Sequence, residues 1–114
     1  MNYKNQISAM YKEIDKIEPR EIVKGYEARF IHTEKMTMAF WTVKAGAIMP
    51  VHRHTHEQTS QVLEGKFELT IDGESRLYEP GVVAIIPSNI SHGGVAVTDC
   101  KLLDIFSPVR EDYQ

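Results

Sequence analysis

SQVLEGKFELTIDGESRLYEPGVVAIIPS, residues 60–88, reads as four short strands in succession. In KFELTID the alternation sets Phe67, Leu69 and Ile71 on one face and Lys66, Glu68, Thr70 and Asp72 on the other. That is the period-two pattern of a half-buried strand. The runs SQVLEG, KFELTIDG, SRLYEPG and VVAIIPS each close on Gly, Pro or an Asx-type turn, the residues that reverse a chain at least cost. Upstream, ARFIHT and KMTMAFWTV form a further pair before the Lys44-Ala45-Gly46 turn, and downstream VAVT and CKLLDIFSP complete the series. Roughly eight to ten short strands without intervening helices predict an all-β fold, an antiparallel barrel or sandwich of the jelly-roll kind. One helix is predicted before them. Ile7, Met10, Tyr11, Ile14 and Ile17 recur at helical spacing and stop at Glu18-Pro19, giving a short N-terminal helix within residues 1–18.

The 114 residues, 42% hydrophobic, suit a single domain spanning 1–114 around one core. Thirteen basic and 16 acidic residues are mixed along the chain. Such mixing speaks against nucleic acid as a partner, which needs a basic face. No apolar run has membrane-spanning length, and the N-terminus lacks the apolar block of a secretory signal, so no membrane partner and a cytoplasmic location are expected. The lone Cys100 agrees with a reducing compartment and reads as a buried strand residue rather than a nucleophile.

Just upstream of the strand series lies PVHRHTHEQ, residues 50–58, with three of the five histidines. On extended chain, positions i, i+2 and i+4 point the same way, so His52, His54 and His56 can share a face, and Gln58 has the same parity. Two imidazoles so spaced can each bring a ring nitrogen to about 2.0–2.2 Å from one divalent cation. Further ligands must then come from elsewhere, and His92, in IIPSNISHGG, follows a turn able to return it to the cluster. A His-x-His pair by itself is also common on ordinary surfaces. His32, before Thr33-Glu34, reads as a strand-end surface residue.

The spacing around these residues resembles the cupin superfamily. Gly46, five residues, His52-x-His54, three residues, Gln58, six residues and Gly65 match its first motif (46–65), and Gly81, five residues, Pro87 and His92 match its second (81–96). The resemblance implies a small metal-holding β-barrel with His52, His54, Gln58 and His92 as ligands. His56 and Glu57 remain alternatives to Gln58, which stands where the family has glutamate. With His56 outside the ligand set, it becomes a pocket or rim residue. A neutral ligand set leaves the cation its full charge to polarise a substrate while lowering affinity. Asn89 replaces the second motif's usual glycine and tolerates the same left-handed backbone, and Ala96 replaces a non-ligating asparagine.

The closing stretch CKLLDIFSPVREDY is similar to that of small single-domain cupins of the KdgF-like, pectin-degrading subgroup, and the likeness extends over roughly residues 20–113. It implies metal-dependent ring opening and ketonisation of 4,5-unsaturated uronate monosaccharides, in pectin or alginate breakdown, to linear 5-keto-4-deoxyuronate. The catalytic residues it implies are Asp104, Arg110 and Phe106. One divalent transition metal (Ni, Zn, Mn, Fe or Cu) is expected per chain, with a small sugar acid as substrate and a homodimer as the assembly. Two other readings share the scaffold: an iron-dependent dioxygenase, and a non-catalytic sugar- or effector-binding cupin. In CKLLDIF, Asp104 and Phe106 share a strand face, and Arg110 follows a Ser-Pro bend that can fold its planar fork back toward a substrate carboxylate.

Overall fold

Pro19 closes the N-terminal segment, and the chain passes directly into strands. The computed structural model describes residues 10–114. The strands are β1 (Arg20–Val23), β2 (Tyr26–His32), β3 (Thr37–Val43), β4 (Ile48–His52), β5 (Glu57–Glu64), β6 (Phe67–Ile71), β7 (Glu74–Tyr78), β8 (Val83–Ile86), β9 (His92–Ala96) and β10 (Cys100–Ser107). They form two sheets, six-stranded in the order β1-β2-β3-β10-β5-β8 and four-stranded in the order β4-β9-β6-β7. All neighbouring pairs are antiparallel. This is the expected all-β jelly roll.

Alternation decides which side chains face in. In β3 the buried set is Thr37, Ala39, Trp41 and Val43, in β10 Cys100, Leu102, Asp104 and Phe106, and in β5 Gln58, Ser60 and Val62. Phe67 and Leu69 of β6 close the core from the other sheet. The buried polar side chains Thr37, Gln58, Ser60 and Asp104 gather toward one end of the interior, with Phe106 among them, and the other end, at Val43, Val62 and Leu102, is apolar. Cys100 behaves as expected: its buried thiol donates toward the Lys66 carbonyl (3.0 Å), and burial pushes its pKa up.

Two strands lie outside the expected runs. β1 is short, charged and bulged, pairing with β2 alone. β4 contains Pro50, which edge strands tolerate because one side of the ladder is unpaired; it pairs with β9 alone, with a register shift between Met49 and His52. Of the expected N-terminal helix, residues 1–9 lie outside the described residues. From residue 10 onward there is a one-turn 3-10 helix at Ile14–Lys16. Among the described residues, no helix is long and apolar enough to cross a membrane.

Backbone conformation bears out the turn residues. Asn89 has φ 63° where a glycine was replaced. Gly65, between β5 and β6, has φ 92°, and a Cβ there would run into the Asp99 backbone carbonyl. The β5–β6 and β9–β10 turns are thus packed backbone against backbone.

Candidate metal centre and its cavity

The ladder between β4 and β9 sets His52 directly opposite His92, placing one ligand candidate on each of two neighbouring strands. His54 follows β4 in a loop tied to the second motif: the Asn89 N–H donates to the His54 carbonyl (2.8 Å) and the Ser88 hydroxyl to the Thr55 carbonyl (2.5 Å). His52, His54 and His92 come together so that one ligand atom of each lies within 4.8 Å of the others. Ring centroids are 4.3 Å apart for His52–His92 and 4.8 Å for His54–His92.

The hydrogen bonds select the tautomer. Each Nδ1 lies against a backbone carbonyl: His52 on Pro50 (2.9 Å), His54 on His56 (3.0 Å) and His92 on Ile90 (2.9 Å). An Nδ1–H donating there leaves the lone pair on Nε2, as in metal-ligating histidines. His92 Nε2 is buried with no partner. His54 Nε2 lies 3.2 Å from Gln58 Oε1, so two acceptors face each other with nothing to donate between them. An orphaned nitrogen and an opposed acceptor pair are both relieved by a cation, and the donor set fits a divalent transition metal. Burial, followed by the Arg110 charge and the neighbouring histidines, lowers the His54 pKa to about 4. Burial likewise lowers that of His92. Both rings are neutral and ready to ligate at physiological pH.

Of the alternatives to Gln58, Glu57 is exposed and points out of the barrel, whereas Gln58 is buried. His56 faces the C-terminal tail, its Nε2 donating to the Val109 carbonyl (3.2 Å). The chain turns at 53–56 instead of continuing as a strand; the His56 ring stays 5.6 Å from that of His54, but the ligand atoms that converge are those of His52, His54 and His92. His32 stands at the end of β2 but is half-buried, bonded through Nδ1 to Thr37 Oγ1 (2.9 Å) and through Nε2 to the Tyr113 carbonyl (3.2 Å).

Beside the histidines a narrow cavity of about 50 Å³ runs into the barrel, with Gln58, Asp104, Phe106 and Arg110 among its walls. That is room for a few water molecules. Asp104 is buried, and desolvation raises its pKa to about 6, opposed by the Ser60, Trp41 and Gln58 side chains and by the Arg110 charge. Its Oδ1 has no direct partner. Phe106 sits with its ring edge-on to His54 at 5.7 Å. The Arg110 guanidinium lies over the Phe106 ring at 4.7 Å and the Tyr113 ring at 4.2 Å. Its Nε and Nη2 already donate to Asp112 (2.9 and 2.7 Å), so the Nη1 edge of the fork is what remains for a ligand.

Sequence reasoning missed several cavity residues. Tyr113 lines it from the tail, its ring stacked on Phe30 at 4.6 Å. Ser60 and Tyr78 meet inside it, hydroxyl to hydroxyl at 2.7 Å. Trp41 contributes an indole N–H with no partner. Ser60 and Trp41 were readable as inward by strand parity, but nothing marked them as polar groups facing a site.

A two-sheet jelly roll holding a histidine triad at the open end of its core defines a class of proteins. The cupin domain pattern matches residues 39–106, more than half of the chain, and the chain belongs to the cupin family. Among its relatives it is similar to the pectin degradation protein KdgF of Dickeya dadantii (strain 3937), 39% identical over 70 residues. That match covers 60% of this chain and 64% of the relative. The solved structure of KdgF from Halomonas sp. superposes with a TM-score of 0.86 at 28% identity, covering 91% of this chain and 97% of that one. An RmlC-like cupin from Shewanella frigidimarina NCIMB 400 gives 0.87 at 30% identity, covering 91% and 95%.

Proposed function

We propose that the protein opens and ketonises 4,5-unsaturated uronate monosaccharides. The observation that carries this reading is Asp104, a buried carboxyl whose pKa of about 6 keeps it exchanging protons near neutrality, set in one cavity with the histidine triad. Likeness to KdgF supports the sugar-acid class of substrate. His52, His54, Gln58 and His92 would hold one divalent metal, which when bound supplies a Lewis acid that polarises a substrate oxygen.

The substrate is an enol ether beside a carboxylate. Conversion needs a proton added at C4, a proton removed from the anomeric hydroxyl, and cleavage of the C1–O5 bond, so that C1 becomes the aldehyde and C5 the ketone. No atom is gained or lost. Asp104 delivers the proton to C4 in its neutral form and, once ionised, accepts one back. The free edge of Arg110 binds the carboxylate and Phe106 packs against the ring. The narrow cavity admits the reacting edge of a sugar and only a few waters. We also read a cytoplasmic homodimer, supported by the buried thiol of Cys100 and by exposed Leu63, Val83 and Ile85 on the adjoining strands β5 and β8.

The test is to quantify bound metal, add freshly prepared unsaturated galacturonate- or mannuronate-derived monomer, and follow the alkene proton by NMR against spontaneous conversion. The expected result is acceleration that His54→Ala and Asp104→Ala abolish. A rate equal to the blank for every uronate would refute the reading.

A further inference from the structure

Three buried polar atoms of the cavity residues have no hydrogen-bond partner: His92 Nε2, Trp41 Nε1 and Asp104 Oδ1. A cation accounts for the first and leaves the other two. An indole nitrogen is a donor only, and a carboxylate an acceptor only, so these two are complementary. The β3–β10 ladder pairs Asp104 with Ala39 and Leu102 with Trp41, which makes Trp41 and Asp104 diagonal neighbours on the inward face, within reach of a large aromatic side chain. Trp41 is otherwise in a setting a phenylalanine would fill, with Tyr26 and Phe30 rings edge-on at 6.0 Å each. Its N–H is what distinguishes it there.

On the other side of β10, Asp104 stands opposite Ser60. The Ser60 hydroxyl is 2.7 Å from that of Tyr78 on β7, in the four-stranded sheet. With the Tyr78 proton donated to Ser60, the single Ser60 proton is left for Asp104. Asp104 therefore has Trp41 on one neighbouring strand and Ser60, linked to Tyr78 across the barrel, on the other.

We propose that Trp41, through its indole N–H, and Ser60, braced by Tyr78, are positioning residues that hold the Asp104 carboxyl in the orientation for proton transfer. The inference rests on the ring-opening reading for its catalytic consequence. Its geometric half stands without it.

Trp41 is the chain's single tryptophan, so the ¹⁵N-labelled full chain, loaded with zinc as a diamagnetic ion, shows one indole N–H resonance. That resonance is expected to exchange slowly, to move in Asp104→Leu, and to return toward its original position in Asp104→Asn, which keeps an acceptor. An unmoved resonance in Asp104→Leu would overturn the contact whatever the enzyme does. In turnover, Trp41→Phe and Ser60→Ala are each expected to lower kcat about tenfold with KM within twofold, and Ser60→Thr to restore it. Wild-type kcat in both variants would overturn the positioning role. A resonance that moves in a protein turning over no uronate would sink the reaction and uphold the contact. The two failures are therefore told apart.

Discussion

Asp104 and His54 are driven in opposite directions by the same cause. Burial penalises the charged form of each, raising the carboxyl from 3.8 to about 6 and lowering the imidazole from 6.5 to about 4. Between roughly pH 4 and 6 the native state binds more protons at Asp104 than the unfolded chain does, so this group's contribution to stability falls as pH rises. At His54 the unfolded chain binds more, so stability rises with pH over the same window and up to 6.5. The two slopes oppose each other in the metal-free protein. Asp104→Asn removes the falling one. Urea unfolding of chelator-treated Asp104→Asn is expected to show stability climbing from pH 4 to 6.5, and above pH 6 a gain of about 2–3 kcal/mol over wild type. On the proposed role of Asp104 as proton donor, the same variant is expected to lower kcat by about 10²-fold or more. A carboxyl kept in an unfavourable place for chemistry predicts such a trade. Asp104 was legible as inward because CKLLDIF interrupts an apolar alternation with one acid at an inward parity. Its partners were not, since parity tells which face a residue takes and not what faces it across a barrel.

The segment after β10 is the element on which the cavity wall depends. It is pinned at several places: the Arg110 N–H donates to Thr37 Oγ1 (2.9 Å), His56 bonds the Val109 carbonyl, and both His32 and Arg20 bond the Tyr113 carbonyl, the latter at 2.6 Å. The tail ends in a 3-10 turn, Glu111–Tyr113, which brings the Tyr113 ring onto Phe30 and the Arg110 guanidinium onto Tyr113. Tyr113→Ala is expected to cost about 2 kcal/mol, seen as a melting temperature lower by roughly 5–10 °C, and to raise KM through the loosened Arg110. His56→Ala is expected to raise KM in the same direction with metal content unchanged, because His56 bonds the tail and stands outside the converging histidines. A metal-depleted His56→Ala protein would restore it to the ligand set. In sequence this segment showed only a Ser-Pro bend and one arginine. Its path across the mouth is decided by His32, His56 and Thr37, residues distant in the chain, so local pattern could not reveal it. The strand bearing Gln58 was more readable, because spacing from Gly65 and alternation in β5 both place Gln58 inward and Glu57 outward.

For the molecule as a whole, the candidate metal centre spans the two sheets, with His52 and His92 in the four-stranded sheet and the proposed ligand Gln58 in the six-stranded one. A cation bound there stabilises the native state by mass action, by about 2.7 kcal/mol when free metal is 100 times its dissociation constant. Chelation is expected to lower the melting temperature, and re-addition of metal to restore it, with a concentration dependence that His54→Ala abolishes. Most of the architecture was visible beforehand, since period-two runs closed by turn residues leave few other folds. What stayed hidden were strands carrying little such pattern: β1, with two charges in four residues, and β4, broken by Pro50. The order of strands has one more consequence. β10 follows every other strand in the chain yet lies between β3 and β5 in the middle of the larger sheet. During synthesis the β1-β2-β3 and β5-β8 portions therefore wait with open edges until β10 has left the ribosome. Closure of the sheet, the burial of Asp104 and the shaping of the cavity then come late and together, so a chain stalled before β10 is an aggregation hazard rather than a protein with a partly formed site.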